Sequence, residues 1–168
     1  TTENTLIKYV PFKIGGEYSD SVSNETIQSL FKTGLFSDIS IINNDGVINI
    51  SVVENPTIKY FEFNLDSESG FSNWLKNEKK LLTSEQLNEI VILNNLSSGT
   101  PFTQEKLDEL ILTLNSKYFG SGYYNVAISQ ETSIDTQNRV GIDITIQQGE
   151  RAKIEKFTIS GAGSISEE

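Results

Sequence analysis

The chain has no cysteine, no histidine and no methionine, and only three prolines and one tryptophan among its 168 residues. Without cysteine there is no disulfide, no thiolate nucleophile and no thiolate metal ligand. Without histidine, the side chain that titrates nearest neutral pH and ligates metals most often is missing. Methionine is absent even from position 1, so the chain reads as a processed or excised piece of something longer. No apolar run approaches the roughly 20 residues of a membrane-spanning helix, and no signal segment is present. Positive charge is scarce: 13 Lys and Arg stand against 23 Asp and Glu, for a net charge of −10. A nucleic-acid binder displaces counterions with cationic patches, so the balance argues against that class. The balance argues more weakly against docking on anionic lipid. An acidic surface serves solubility.

What is present is a repeat. Ile58, Phe61 and Phe63 recur as Ile154, Phe157 and Ile159, each pair 96 positions apart (58 to 154, 61 to 157, 63 to 159). Ahead of each triplet come an amphipathic helix, an aromatic-glycine corner and two strands. The corner reads Phe31-Lys32-Thr33-Gly34-Leu35-Phe36 first and Phe119-Gly120-Ser121-Gly122-Tyr123-Tyr124 second. A fixed period marks a repeated module, and repeated modules more often hold partners than catalyse.

The first unit begins with a short helix at Leu6, Tyr9 and Val10, ended by Pro11. Ser23 is the expected N-cap of a helix carrying Ile27, Leu30 and Phe31, stopped by Gly34. A strand with Ile39 and Ile41 follows. Asn44-Asp45-Gly46 signals a tight hairpin, and the return strand puts Ile48, Ile50 and Val52 on one face. Pro56 marks a boundary, and Thr57 to Phe63 is a strand opening the second unit.

Residues 66–80 read as a polar surface insertion. Its Trp74 either folds back onto the helices, the favoured reading, or stands as an exposed anchor. Ser84 starts a helix with Leu87, Ile90, Val91 and Leu93, broken at Gly99-Thr100-Pro101. Thr103 caps a longer one with Leu107, Leu110, Ile111, Leu114 and Tyr118 on one face. Tyr124, Val126 and Ile128 alternate in a strand whose partner carries Val140, Ile142, Ile144 and Ile146, with Gly141, Asp143 and Thr145 toward water. Ala152 to Ile159 repeats the opening strand. The domain reading is therefore 1–55, 56–149 and the start of a third unit at 150–168.

This order resembles the POTRA domain, a small βααββ module found in outer-membrane assembly factors. The matching words are Phe31-Lys32-Thr33-Gly34-Leu35-Phe36-Ser37-Asp38, Asp45-Gly46 and Val53-Glu54-Asn55-Pro56-Thr57-Ile58. In the second unit they are Tyr118, Gly122, Tyr124, Asn138-Arg139-Val140 and Gln148-Gly149-Glu150. The first unit lacks an obvious first strand, and the 66–80 segment is longer than a POTRA module needs. The resemblance implies an α+β fold of two tandem modules, each a small mixed three-stranded sheet with two helices on one face. It implies a place on the periplasmic face of the bacterial outer membrane, ahead of the protein's own C-terminal β-barrel. The implied partners are unfolded outer-membrane proteins, a periplasmic chaperone and outer-membrane lipoproteins. A related transporter of the TamA or two-partner secretion type, or a structural spacer, would share the pattern.

An open sheet leaves an edge whose unpaired N–H and C=O groups can take up another extended chain. The hairpin's first strand, at the edge in the POTRA resemblance, is the candidate: Ile39, Ser40, Ile41, Ile42 and Asn43 in one unit, and Asn125, Val126, Ala127, Ile128, Ser129 and Gln130 in the other. The alternative is that these are ordinary strands protected by charge and twist. Tyr118, Phe119, Tyr123 and Tyr124 read as core and corner packing rather than a stacking platform. The carboxylates are scattered over turns and polar faces, and no phosphate cradle or calcium loop is present. The expectation is a binding protein, not an enzyme, with no cofactor, no catalytic residue and no metal site.

Overall fold

The structure, a computed structural model, describes residues 6–13, 15–66 and 80–158. The element order is α1 (Asp20–Lys32), β1 (Phe36–Asn44), β2 (Val47–Glu54), β3 (Thr57–Asp66), α2 (Ser84–Leu93), α3 (Gln104–Gly120), β4 (Ala127–Ile134) and β5 (Arg139–Gln147). The class is α+β. Trp74 and most of the expected insertion lie outside the described residues.

The α1 cap lies four residues before the expected one. Its N-cap is Ser19, whose hydroxyl accepts from the Val22 N–H, while Ser23 lies inside the helix and is buried. Three serines at two-residue spacing all satisfy the cap preference; the one that fits leaves Val22 and Ile27 inside the first turns. Gly34 ends the helix as expected, at φ 69. β1 and β2 pair antiparallel through the two-residue loop Asp45-Gly46, both at positive φ, which matches the right-handed strand twist. Leu30, Phe36 and Ile39 form a small core here, with Leu6, Ile27, Leu35 and Val52 half-buried around it. The sheet in this half has two strands, not three, among the described residues. No described residue of 6–54 supplies a strand to lie beside β2.

Residues 57–147 form the complete βααββ arrangement. The sheet order is β3-β5-β4, with β3 parallel and β4 antiparallel to β5. A parallel neighbour needs a long crossover, and α2 and α3 provide it. Val140, Ile142, Ile144 and Ile146 on β5 are fully or almost fully buried against Leu87, Val91, Leu107, Leu110, Leu114 and Tyr118. Burial of each such side chain contributes about 1.5–3 kcal/mol, so this half holds most of the chain's hydrophobic stabilisation. The α2 cap is Thr83, one residue ahead of the expected start, in a capping box with Gln86. Helix α2 ends at Leu93, with Asn94 as its C-cap and Asn95 at positive φ, before the Gly99-Thr100-Pro101 stretch. Leu93 does not face the core; it is 80% exposed.

The Ile58, Phe61, Phe63 spacing has a structural cause. The register between β3 and β5 shifts between Ile58 and Tyr60, so one extra residue lets all three, and Leu65, face the same core. Gly141 is buried rather than solvent-facing. The Tyr60 ring lies on it, where an added Cβ would come within 2.5 Å of Cζ. Residues 151–158 carry no regular element, and Ile154 and Phe157 are exposed.

Candidate partner-binding edge

The helix–strand corner sets where β4 begins. Gly122 turns the chain at φ 88, and the Tyr123 N–H returns to the Tyr118 carbonyl at 3.0 Å. The aromatic corner splits: Tyr118 packs edge-on against Tyr123 in the core, while Phe119 and Tyr124 pair on the surface at 44% and 66% exposure. Pairing with β5 then starts at Ala127 opposite Gln147. Asn125 and Val126, expected in the strand, lie ahead of it, because the corner's turns carry the chain past them before it comes alongside β5. Ala127, Ile128, Ser129 and Gln130 are in β4.

β4 is hydrogen-bonded to β5 on one side, and no strand pairs with its other side among the described residues. Beside that edge runs a groove of about 490 Å³, lined by Asp108, Ile111 and Leu112 of α3 and by Ile128, Ser129 and Gln130. Leu112 is an apolar side chain off the buried stripe of α3 and is 66% exposed. That off-stripe leucine was the signal for the groove that periodicity alone passes over. β3, at the opposite end of the sheet, is partly covered: the Ile58 N–H donates to Thr100 and the Ile58 carbonyl accepts from Gly99, at 2.9 and 2.8 Å.

In the first half, Ile39 to Asn43 lie in β1, which pairs only with β2 among the described residues. Ile39 is buried, Ser40 and Ile41 are half-buried, and Ile42 is exposed. The Asn43 side chain accepts the Gly46 N–H at 2.9 Å and so is engaged in the hairpin turn.

The sheet face away from the helices is polar. Glu62 lies opposite Asp143, and Asp143 opposite Glu131, so three carboxylates form one row across β3, β5 and β4. Like charges in facing positions disfavour the sheet by a few tenths of a kcal/mol each. No group of three or more acidic residues among the described residues is placed to hold a metal ion. The cations of this sheet are engaged at one end: Arg139 Nη2 and Lys59 Nζ lie 2.8 and 3.6 Å from Asp135 Oδ2. Arg139's hydrogen bonds hold the Asp135 carboxyl down at about 2. Asp135 Oδ1 also accepts the Gln137 and Arg139 N–H groups, fixing the β4–β5 turn.

That turn grips the segment between the two halves. The Asn138 carbonyl accepts from the Thr57 N–H at 3.0 Å, and Asn138 Nδ2 donates to the Glu54 carbonyl at 3.3 Å. From the other side, Asn55 donates its backbone N–H to Leu35 and its Nδ2 to the Gly34 carbonyl, at 2.8 and 2.9 Å. The second corner holds the following segment in the same manner. Ala152 N–H donates to Gly122 and Arg151 Nε to Ser121, at 2.8 and 3.0 Å.

The POTRA family pattern, described as a surface antigen variable number repeat, matches residues 75–149. The chain is 30% identical over 161 residues to the outer membrane protein assembly factor BamA of Neisseria meningitidis serogroup B, covering 96% of this chain and 19% of that protein. It is 27% identical over 167 residues to BamA of Buchnera aphidicola, covering 99% of this chain and 25% of that protein. The chain thus spans a quarter or less of the length of these relatives. The N-terminal domain of Omp85 from Thermosynechococcus elongatus shares the fold at a TM-score of 0.50 and 18% identity, over 84% of this chain and 55% of that one.

Proposed function

The chain belongs to the POTRA family in the form carried by BamA-type proteins of the outer membrane, at their periplasmic face, and on that footing we propose that it receives unfolded outer-membrane proteins by strand addition to the β4 edge. It does so as two tandem modules, 1–55 and 56–149, with a third beginning at 150. The repeated helix–hairpin order, the similar gripping of the segments that follow both corners, and the recurring apolar spacing of β3 support this division. By the same reading, the modules stand ahead of a membrane barrel and dock a chaperone and accessory lipoproteins.

The observation that carries the reading is the unpaired side of β4 running beside an apolar groove. Backbone pairing tolerates many sequences, which suits a module that handles many clients. Such contacts should be weak, since residence time governs release. Glu131 on the exposed edge and the net charge of −10 discourage indiscriminate pairing.

Proline placed singly at Ala127 and at Ile128 tests this. Successive N–H groups of a strand point to opposite edges, so one of the two removes an outward donor without touching the β5 ladder. That variant should stay folded and lose binding of an unfolded outer-membrane protein. Thr136→Pro, at a turn position proline favours, should keep it. Undiminished binding in both strand variants would leave the modules as a spacer.

A further inference from the structure

We propose that the β4 edge selects an extended segment whose side chains alternate apolar and cationic, with a Lys or Arg seated opposite Glu131. This rests on the strand-addition reading and specifies the partner's chemistry. A strand added to β4 continues both faces of the sheet, and its side chains alternate between them with period two. Its two sets of side chains therefore meet different surroundings.

On the helix side, the incoming side chains fall beside Ile128 and into the groove walled by Ile111 and Leu112. Leu112 is largely exposed, so an apolar side chain arriving there removes exposed apolar surface from water on both partners. A polar side chain gains nothing comparable. On the other side, the row Glu62, Asp143, Glu131 ends at the open edge. Strands lie about 4.8 Å apart, so a residue opposite Glu131 becomes the fourth member of that row.

A fourth carboxylate would add repulsion, and a cation would relieve it. Among the described residues the strands of this sheet have no spare cation for the task, because Lys59 and Arg139 both lie on Asp135 at the turn end. Charge complementarity therefore favours a cationic occupant on one face, and the groove an apolar occupant on the other. Asp108 at the groove lip adds negative potential on the approach.

The test uses three peptides of about ten residues, the length of a long strand: alternating Val-Lys, alternating Val-Glu, and a Val-Lys peptide with the two residue types segregated. Each is titrated into the chain while its backbone amide resonances are followed. The alternating Val-Lys peptide should perturb residues 127–134 and bind about tenfold more tightly than Val-Glu, with the gap closing at high salt. Glu131→Lys, at an exposed edge position, should leave the β5 resonances in place and reverse the preference. Equal binding of the two alternating peptides at β4 would overturn the charge selection while leaving strand addition intact. Equal binding by the segregated peptide would reduce the effect to bulk attraction and also overturn it. Failure of both alternating peptides to touch β4 would remove the strand-addition reading, and this inference with it.

Discussion

Residues 20–54 and 57–147 run through the same succession of amphipathic helix and hairpin, but they are stabilised very differently. Among the described residues, the first half buries Leu30, Phe36 and Ile39, and the second buries fifteen apolar residues around β5. The difference is topological. In the second half β5 is flanked on both sides and roofed by two helices, so every second residue from Val140 to Ile146 is enclosed. In the first half β2 has a neighbour on one side only among the described residues, and Ile48, Ile50 and Val52 stay half-buried. The same hairpin is thus a core element when flanked and a surface element when not.

Core truncation should show the contrast most strongly. Leu110→Ala should cost about 4 kcal/mol and Leu30→Ala about 2, read from denaturant unfolding, because fewer groups around Leu30 are left facing a cavity. Equal costs would break the comparison. Gly141→Val tests a device of the second half. The new side chain displaces the Tyr60 ring, for a loss of about 1–2 kcal/mol, and pairing it with Tyr60→Ala should recover part of that loss in a double-mutant cycle.

The Asp135 turn gives a smaller, pH-dependent effect. Its carboxyl titrates at about 2, below the ordinary 3.8, because Arg139 hydrogen-bonds the ionised form. A depressed folded-state value means that its stabilisation is complete above about pH 4 and disappears as pH falls through about 2. Hydrogen exchange of Gln137 and Arg139 in Asp135→Asn should therefore differ from the parent at pH 5 and approach it as the pH falls below about 2. Smallest of all, Ser23→Ala should be neutral or stabilise by up to about 1 kcal/mol, since the buried Ser23 hydroxyl has no hydrogen-bond partner among the described residues and alanine is the better helix former.

Much of this was legible in the residues. The alternation from Val140 to Ile146 marked the central strand, and Asp45-Gly46 marked the hairpin loop. The three-then-two spacing of Ile58, Phe61 and Phe63 carried the bulge, although its repeat was visible before its cause. The start at Ser84 was legible, and Thr83 and Gln86 carry its capping-box signal. Other features depend on what the fold brings near. Gly141 reads as a weak strand position until Tyr60 covers it, and Asn55 and Asn138 read as loop residues until their side chains meet backbone carbonyls. The late start of β4 follows from the corner geometry, which apolar alternation at Tyr124 and Val126 does not encode.

The most direct test of the central claim is amide hydrogen exchange across the chain, with and without an excess of an unfolded outer-membrane protein. Strand addition predicts that alternate amides of residues 127–134 gain protection, while those of β3 at the opposite end of the sheet are unchanged. Unaltered exchange throughout β4, with protection appearing elsewhere, would contradict it.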